Sequence, residues 1–152
     1  MSKHHGLFVA AAASLLLLCR AWAAENAPSL QPLGHRAKVF TVHDPEATSA
    51  FMPNAARVQA MVNAGITALT KKAPTAEAWH SLAGTNEIIG IKVYSSPGAN
   101  AGTRLEVAAA VVESLLQAGF PSNHIIVWDR YAAHLRRAGY YELETRFGIR
   151  VA

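Results

Sequence analysis

The chain has 152 residues, 51% of them apolar, one cysteine, and 14 Lys and Arg against 10 Asp and Glu. That length supports one domain around one core, and a lone cysteine excludes a disulfide framework. The charge excess is small and no basic stripe is interleaved with aromatics, so no nucleic-acid partner is expected.

The N-terminus reads as a segment for export. Lys3 precedes a 13-residue apolar run, residues 7–19, which Arg20 closes, and Ala21-Trp22-Ala23 follows as an A-x-A cleavage site. This order is that of a secretory signal peptide over residues 1–23. The run falls short of the roughly 20 apolar residues that span a bilayer, so no permanent membrane anchor is expected. The expected location is the periplasm or the extracellular medium, after cleavage between Ala23 and Ala24. Cleavage removes Lys3, Arg20 and Cys19, leaving 12 basic against 10 acidic side chains and no thiol.

Residues 24–36 read as a flexible lead, with Pro28, Pro32 and Gly34. A single α/β domain is expected over 37–152. Residues 37–42 (AKVFTV) suggest a first strand, ended by the turn signal His43-Asp44-Pro45. Asn54 is placed to cap a helix over 55–70, where Val58, Met61, Val62, Ile66 and Leu69 recur at helical spacing. Pro74 and Thr75 open a short helical piece carrying Trp79. Residues 87–93 form an almost unbroken apolar run, as expected of a strand covered on both faces.

A Ser/Pro/Gly/Asn-rich loop over 95–102 leads to Thr103 and Glu106, spaced as a capping box. Leu105, Ala108, Val112, Leu115 and Leu116 then mark the buried face of a helix over 104–118, ended by Gly119. A strand over 125–128 completes a βαβ unit, whose strands should be parallel. A short helix is expected over 130–138, ending in Ala138-Gly139-Tyr140 as the previous one ends in Ala118-Gly119-Phe120. Residues 149–151 suggest the start of a last strand, with nothing in its own residues to blunt its edge. The expected fold class is therefore α/β, a mostly parallel sheet with flanking helices.

Several of these segments are familiar as an ordered set: residues 88–93 (IIGIKV), 103–107 (TRLEV), 118–120 (AGF), 125–130 (IIVWDR) and 137–140 (RAGY). Together they resemble the exported branch of the domain-of-unknown-function 362 family, over roughly residues 37–152. The resemblance implies an α/β fold without a settled chemistry. Family members are usually much longer, so it implies an N-terminal half, incomplete at its C-terminal end. Some relatives carry ferredoxin-like segments. This chain keeps no cysteine outside the signal, so no iron–sulfur cluster is expected from it.

In open parallel sheets, ligands sit beyond the carboxyl ends of the strands. That rule singles out His43, Lys92, Asp129 and Arg130 as candidates for holding a small anionic or metal-linked ligand. Each has a structural alternative: Asp129 as a helix N-cap, Lys92 reaching to solvent from a strand end, Asp44 beside His43 as a turn former. Trp79 and Trp128 read as core. Outside the signal no two histidines lie three or four apart on a helix, so no metal site is expected. No Gly-x-Ser-x-Gly elbow occurs, and no reaction can be assigned. The second expectation is a non-catalytic half-domain that pairs with a copy of itself or with a partner chain along an open sheet edge. A truncated product without independent function is the third.

The export reading is checked by N-terminal sequencing of protein recovered from the periplasm or medium, where the first residue should be Ala24. Full-length chain retained in the cytoplasm would overturn it.

Overall fold

The computed structural model describes residues 38–152, and Val39–Ala152 packs as one unit. The expected signal peptide over residues 1–23, the expected lead over 24–36 and Ala37 lie outside the described residues. Residues 38–43 form no strand. Their apolar side chains find no neighbouring ladder to join, and Val39 is almost fully exposed. Val42 instead leans on the helix that follows: its Cγ2 lies 3.7 Å from where a side chain at Gly65 would begin.

A small antiparallel hairpin comes next, strands β1 (Thr48–Ser49) and β2 (Met52–Pro53). Helix α1 (Ala55–Thr70) starts where its cap predicts, with Asn54 Oδ1 accepting from the Arg57 N–H at 3.3 Å. Helix α2 (Thr75–His80) carries Trp79. Strand β3 (Ile89–Lys92), helix α3 (Leu105–Gln117) and strand β4 (Ile125–Trp128) form the expected βαβ unit, with β3 and β4 parallel. Helix α4 (Ala132–Arg137) is followed by a helix the sequence pattern did not reveal, α5 (Glu142–Phe147), and by strand β5 (Arg150–Val151), parallel to β4. The sheet order β3-β4-β5 is an α/β arrangement with flanking helices.

The two Ala-Gly-aromatic segments close their helices identically. Gly119 N–H donates to Leu116 O and Phe120 N–H to Leu115 O; Gly139 N–H donates to Arg136 O and Tyr140 N–H to Leu135 O. These are Schellman motifs, and in each the residue after glycine packs back on the helix it ends. Leu115, Phe120, Leu135 and Tyr140 are all buried in one core with Val93, Val112, Ile125, Val127 and Leu143. Within the helical layer, the Trp79 indole N–H donates to Ser114 Oγ at 2.7 Å, and that hydroxyl donates to Asn63 Oδ1 at 2.9 Å. The chain of bonds joins α2, α3 and α1 and satisfies the buried Ser114.

Four expectations are corrected here. The Thr103/Glu106 capping box does not form: no side chain caps α3, because Thr103 Oγ1 accepts instead from the Tyr94 N–H at 3.0 Å. Among the described residues, helices cover one face of the sheet, not two. Ile89, Ile91 and Val93 turn toward the helices, whereas Ile88, Gly90, Lys92, Trp128 and Arg150 turn away and are exposed. The chain steps one way, β3 to β4 to β5, and crossovers of a single hand then deliver the connecting helices α3, α4 and α5 to the same side. Trp128, expected in the core, stands on the uncovered face. Finally, the β5 edge is blunted after all, by a residue from another element: Glu144 Oε1 accepts from the Val151 N–H at 2.8 Å.

The β3–α3 loop returns so tightly that Thr103 N–H donates to Tyr94 O at 3.0 Å. Gly102 sits inside this turn at φ +75°, and a Cβ there would stand 2.2 Å from Tyr94 O. Backbone must move to admit a side chain, so Gly102→Ala should cost at least about 2 kcal/mol. Gly98, also at positive φ but facing open space, should cost only about 1 kcal/mol when changed to Ala. Denaturant melts of the two variants check the difference.

Candidate functional site

Strands β3 and β4 end side by side, with Lys92 paired in register to Trp128. Asp129 follows Trp128 directly and receives four donors. Its Oδ1 accepts from Lys92 Nζ at 2.6 Å and from the Arg130 N–H at 2.7 Å. Its Oδ2 accepts from the Ser95 N–H at 2.8 Å and from Ser95 Oγ–H at 2.5 Å. The Asp129 side chain is only 7% exposed. Asp129 is therefore not the cap of α4, which begins after Tyr131 without any side-chain cap.

The electrostatics follow from these contacts. The Lys92 ammonium, then the Ser95 hydroxyl and the Ser95 backbone N–H, hold the Asp129 carboxyl far below the usual carboxylate range; burial opposes them, and the Arg130 N–H adds to them. Lys92 Nζ also donates to Val93 O at 2.5 Å and lies 5.5 Å from the Trp128 ring centroid. Nearby, the buried Tyr140 O–H donates to Thr103 O at 2.6 Å. Its pKa is pushed up to about 12, by burial first and then by the negative charges of Asp129 and Glu106. Tyr140 is thus a permanent donor pinning the β3–α3 loop, which Arg137 also holds through Ser96 O at 2.5 Å.

The structure brings three of the four sequence-derived candidates together and separates the fourth. Lys92, Asp129 and the backbone of Arg130 meet, while the Arg130 guanidinium turns away over the Tyr131 ring at 4.9 Å. His43 lies elsewhere, on a shallow depression it shares with Asp44, Arg57 and Met61 of the α1 side. With no strand over 37–42, nothing carries it to the sheet edge. Ser95, Thr103 and Tyr140 complete the arrangement. Ser95 was hidden in a Ser/Pro/Gly/Asn-rich loop, Thr103 was read as a helix cap, and Tyr140 was hidden by its place after a cap. No group of three or more His, Cys, Asp or Glu among the described residues could hold a metal ion.

Chemically, Asp129 is saturated and Lys92 is spent on it, so this edge offers a fixed knot rather than an open ligand seat. What stays unsatisfied is the adjacent sheet surface. Trp128 is 43% exposed and Ile88 69% exposed. The indole leans over Gly90, where a Cβ would stand 3.3 Å from the indole nitrogen. Val93 N–H donates to Trp128 O, which turns the N–H and C=O of Gly90 and Lys92 to the outer side of β3. Among the described residues nothing pairs with them.

Comparison with protein-family models, curated proteins and solved structures finds no match. No helix among the described residues is long and apolar enough to cross a membrane.

The Asp129 knot carries a signed pH dependence. Unfolded, this carboxyl titrates near its ordinary value of about 3.9; folded, it titrates well below. Its contribution is therefore complete above about pH 5 and is lost as the solution is acidified through the unfolded value toward the folded one. Asp129→Asn should cost about 2–3 kcal/mol at neutral pH. The gap to wild type should shrink steadily below about pH 4. Urea melts of both proteins from pH 7 to pH 3 check this, and a gap independent of pH would refute it.

Proposed function

We propose that the chain supplies an exported, non-catalytic module that works by pairing its uncovered sheet with a partner chain. One observation carries the reading: an apolar and aromatic sheet face, Ile88, Ile126 and Trp128 with Gly90 between them, has no helix over it among the described residues. Parallel sheets are ordinarily covered on both faces, and an edge strand with free backbone groups recruits chain. The resemblance to the domain-of-unknown-function 362 family supports the same reading, since those relatives are longer and would bring further chain to such a face.

The size and charge of the surface favour one kind of occupant. At about 4.8 Å between strands and 3.3 Å per residue, the face measures roughly 10 by 15 Å. One helix, about 10 Å across, covers it. Of the charged side chains exposed on the face, Lys92 is already paired with Asp129, and Arg150 has no ion-pair partner among the described residues, so the fitting occupant is an amphipathic helix with an acidic flank.

The probe is a synthetic 18-residue helix of Leu and Glu, with a Leu and Lys counterpart. Trp128 reports occupancy through its fluorescence and its accessibility to iodide. The acidic helix should bind saturably and shield Trp128, the basic one should not, and Trp128→Ser should weaken binding at least about tenfold. Absence of binding, or equal binding by both helices, would overturn the reading. A dimer found by sedimentation and lost in Trp128→Ser would replace it with self-pairing.

A further inference from the structure

The hairpin β1–β2, helix α1 and the first turn of helix α3 enclose a groove of about 360 Å³ that the sheet-pairing reading does not use. Its walls include Thr48, Pro53, Met61, Val62 and Val107, and among the described residues its only ionisable lining residue is Arg104. The surroundings are poorly explained as plain structure. Phe51 and Met52, at the tip of the hairpin, are 91% and 69% exposed, and Val107 on the opposite wall is also exposed. Ala50 and Phe51 both adopt positive φ, +48° and +66°. A two-residue hairpin turn of this kind normally calls for Gly, Asn or Asp, so the tip keeps two side chains in a disfavoured backbone region.

Arg104 holds this arrangement and gives the groove its sign. Its Nη2 donates to Phe51 O at 3.1 Å, binding the hairpin tip, and its Nη1 donates to Asn100 O at 3.2 Å. Its Nε is buried without a hydrogen bond, 3.9 Å from Glu106 Oε2. Each Nη carries a second N–H beyond the one already used. Arg104 is also the residue before α3, whose N-terminus has no side-chain cap, and Glu106 in the first turn offsets the positive end of the helix dipole. An apolar trough with a guanidinium at one side matches a ligand with an apolar body and an anionic head.

We infer that the groove is a binding site for an apolar carboxylate, its body between the hairpin and α1 and its head on Arg104. The hairpin acts as the wall that admits it, with Phe51 and Met52 available to close over the apolar body.

Naphthalene-2-carboxylate is the probe and 2-naphthol its neutral counterpart, each titrated calorimetrically into the folded protein, with amide chemical shifts mapping the site. The carboxylate should bind about tenfold to a hundredfold more tightly than the naphthol, the range of one charge-assisted contact. Shifts should centre on Thr48, Met61, Val62 and Val107. Arg104→Gln should bring the carboxylate down to the level of the naphthol. Because Arg104 also ties the hairpin, Val107→Glu serves as the second variant. It changes an exposed helix position and should repel the carboxylate while sparing the naphthol. No binding of either probe, shifts elsewhere, or a carboxylate preference unchanged in Val107→Glu would overturn the inference.

Discussion

A buried carboxylate must be paired and hydrogen-bonded or it destabilises the fold, and Asp129 meets that condition by drawing on two separate stretches of chain. Lys92 and Ser95 come from the exit of β3, and Arg130 from the exit of β4. Each donor satisfies a lone pair, and each also fixes where its own segment leaves the sheet. The β3–α3 loop must then return past Tyr94, which places Gly102 against that carbonyl and gives Thr103 to the loop rather than to the helix cap. Tyr140, arriving from beyond α4, ties the same loop to the turn between α4 and α5. The uncapped start of α3 and the position of Arg104 follow from this knot.

The second constraint is the direction of winding. Three strands laid down in chain order receive their crossover helices on one side. The core there is well filled, with Tyr140, Phe120, Leu115 and Leu143 fully buried. The opposite face receives none of this cover. Its apolar residues are therefore held at the surface by topology, not by local preference. The two edges are treated differently: Glu144 closes an outward N–H of β5, whereas the outward groups of β3 at Gly90 and Lys92 have no partner among the described residues. An open face next to an open strand is a single continuous surface, which is why pairing with another chain fits it better than a ligand seat at the saturated Asp129.

The two unusual surfaces lie on different parts of the molecule and differ in kind. The sheet face is flat and framed by strands that the core holds rigidly. The groove is concave, and one wall is a hairpin of two-residue strands held by Arg104 and by the Asn54 N–H bonded to Ala47 O. Short hairpins have little stability of their own, so this wall depends on what it packs against.

Local chemistry was legible in the sequence wherever one residue decides it alone. Asn54 capped its helix, the Ala-Gly-aromatic pairs ended theirs, and the apolar runs at 88–93 and 125–128 became the paired parallel strands. Lys92 and Asp129, singled out in the sequence as ligand candidates at the strand ends, do meet there, because strand position alone brings them together. What failed were readings in which a residue had a choice of partner. Thr103 matched a cap but found the Tyr94 N–H; Asp129 matched a cap but found Ser95 and Lys92; residues 37–42 matched a strand, yet 38–42 found no neighbour. An apolar run likewise does not state how many of its faces are covered. A hydroxyl, a carboxylate or a strand edge goes to whichever partner the packed chain presents, and here that competition was decided by the one-way winding of the sheet and by the contacts it brought together.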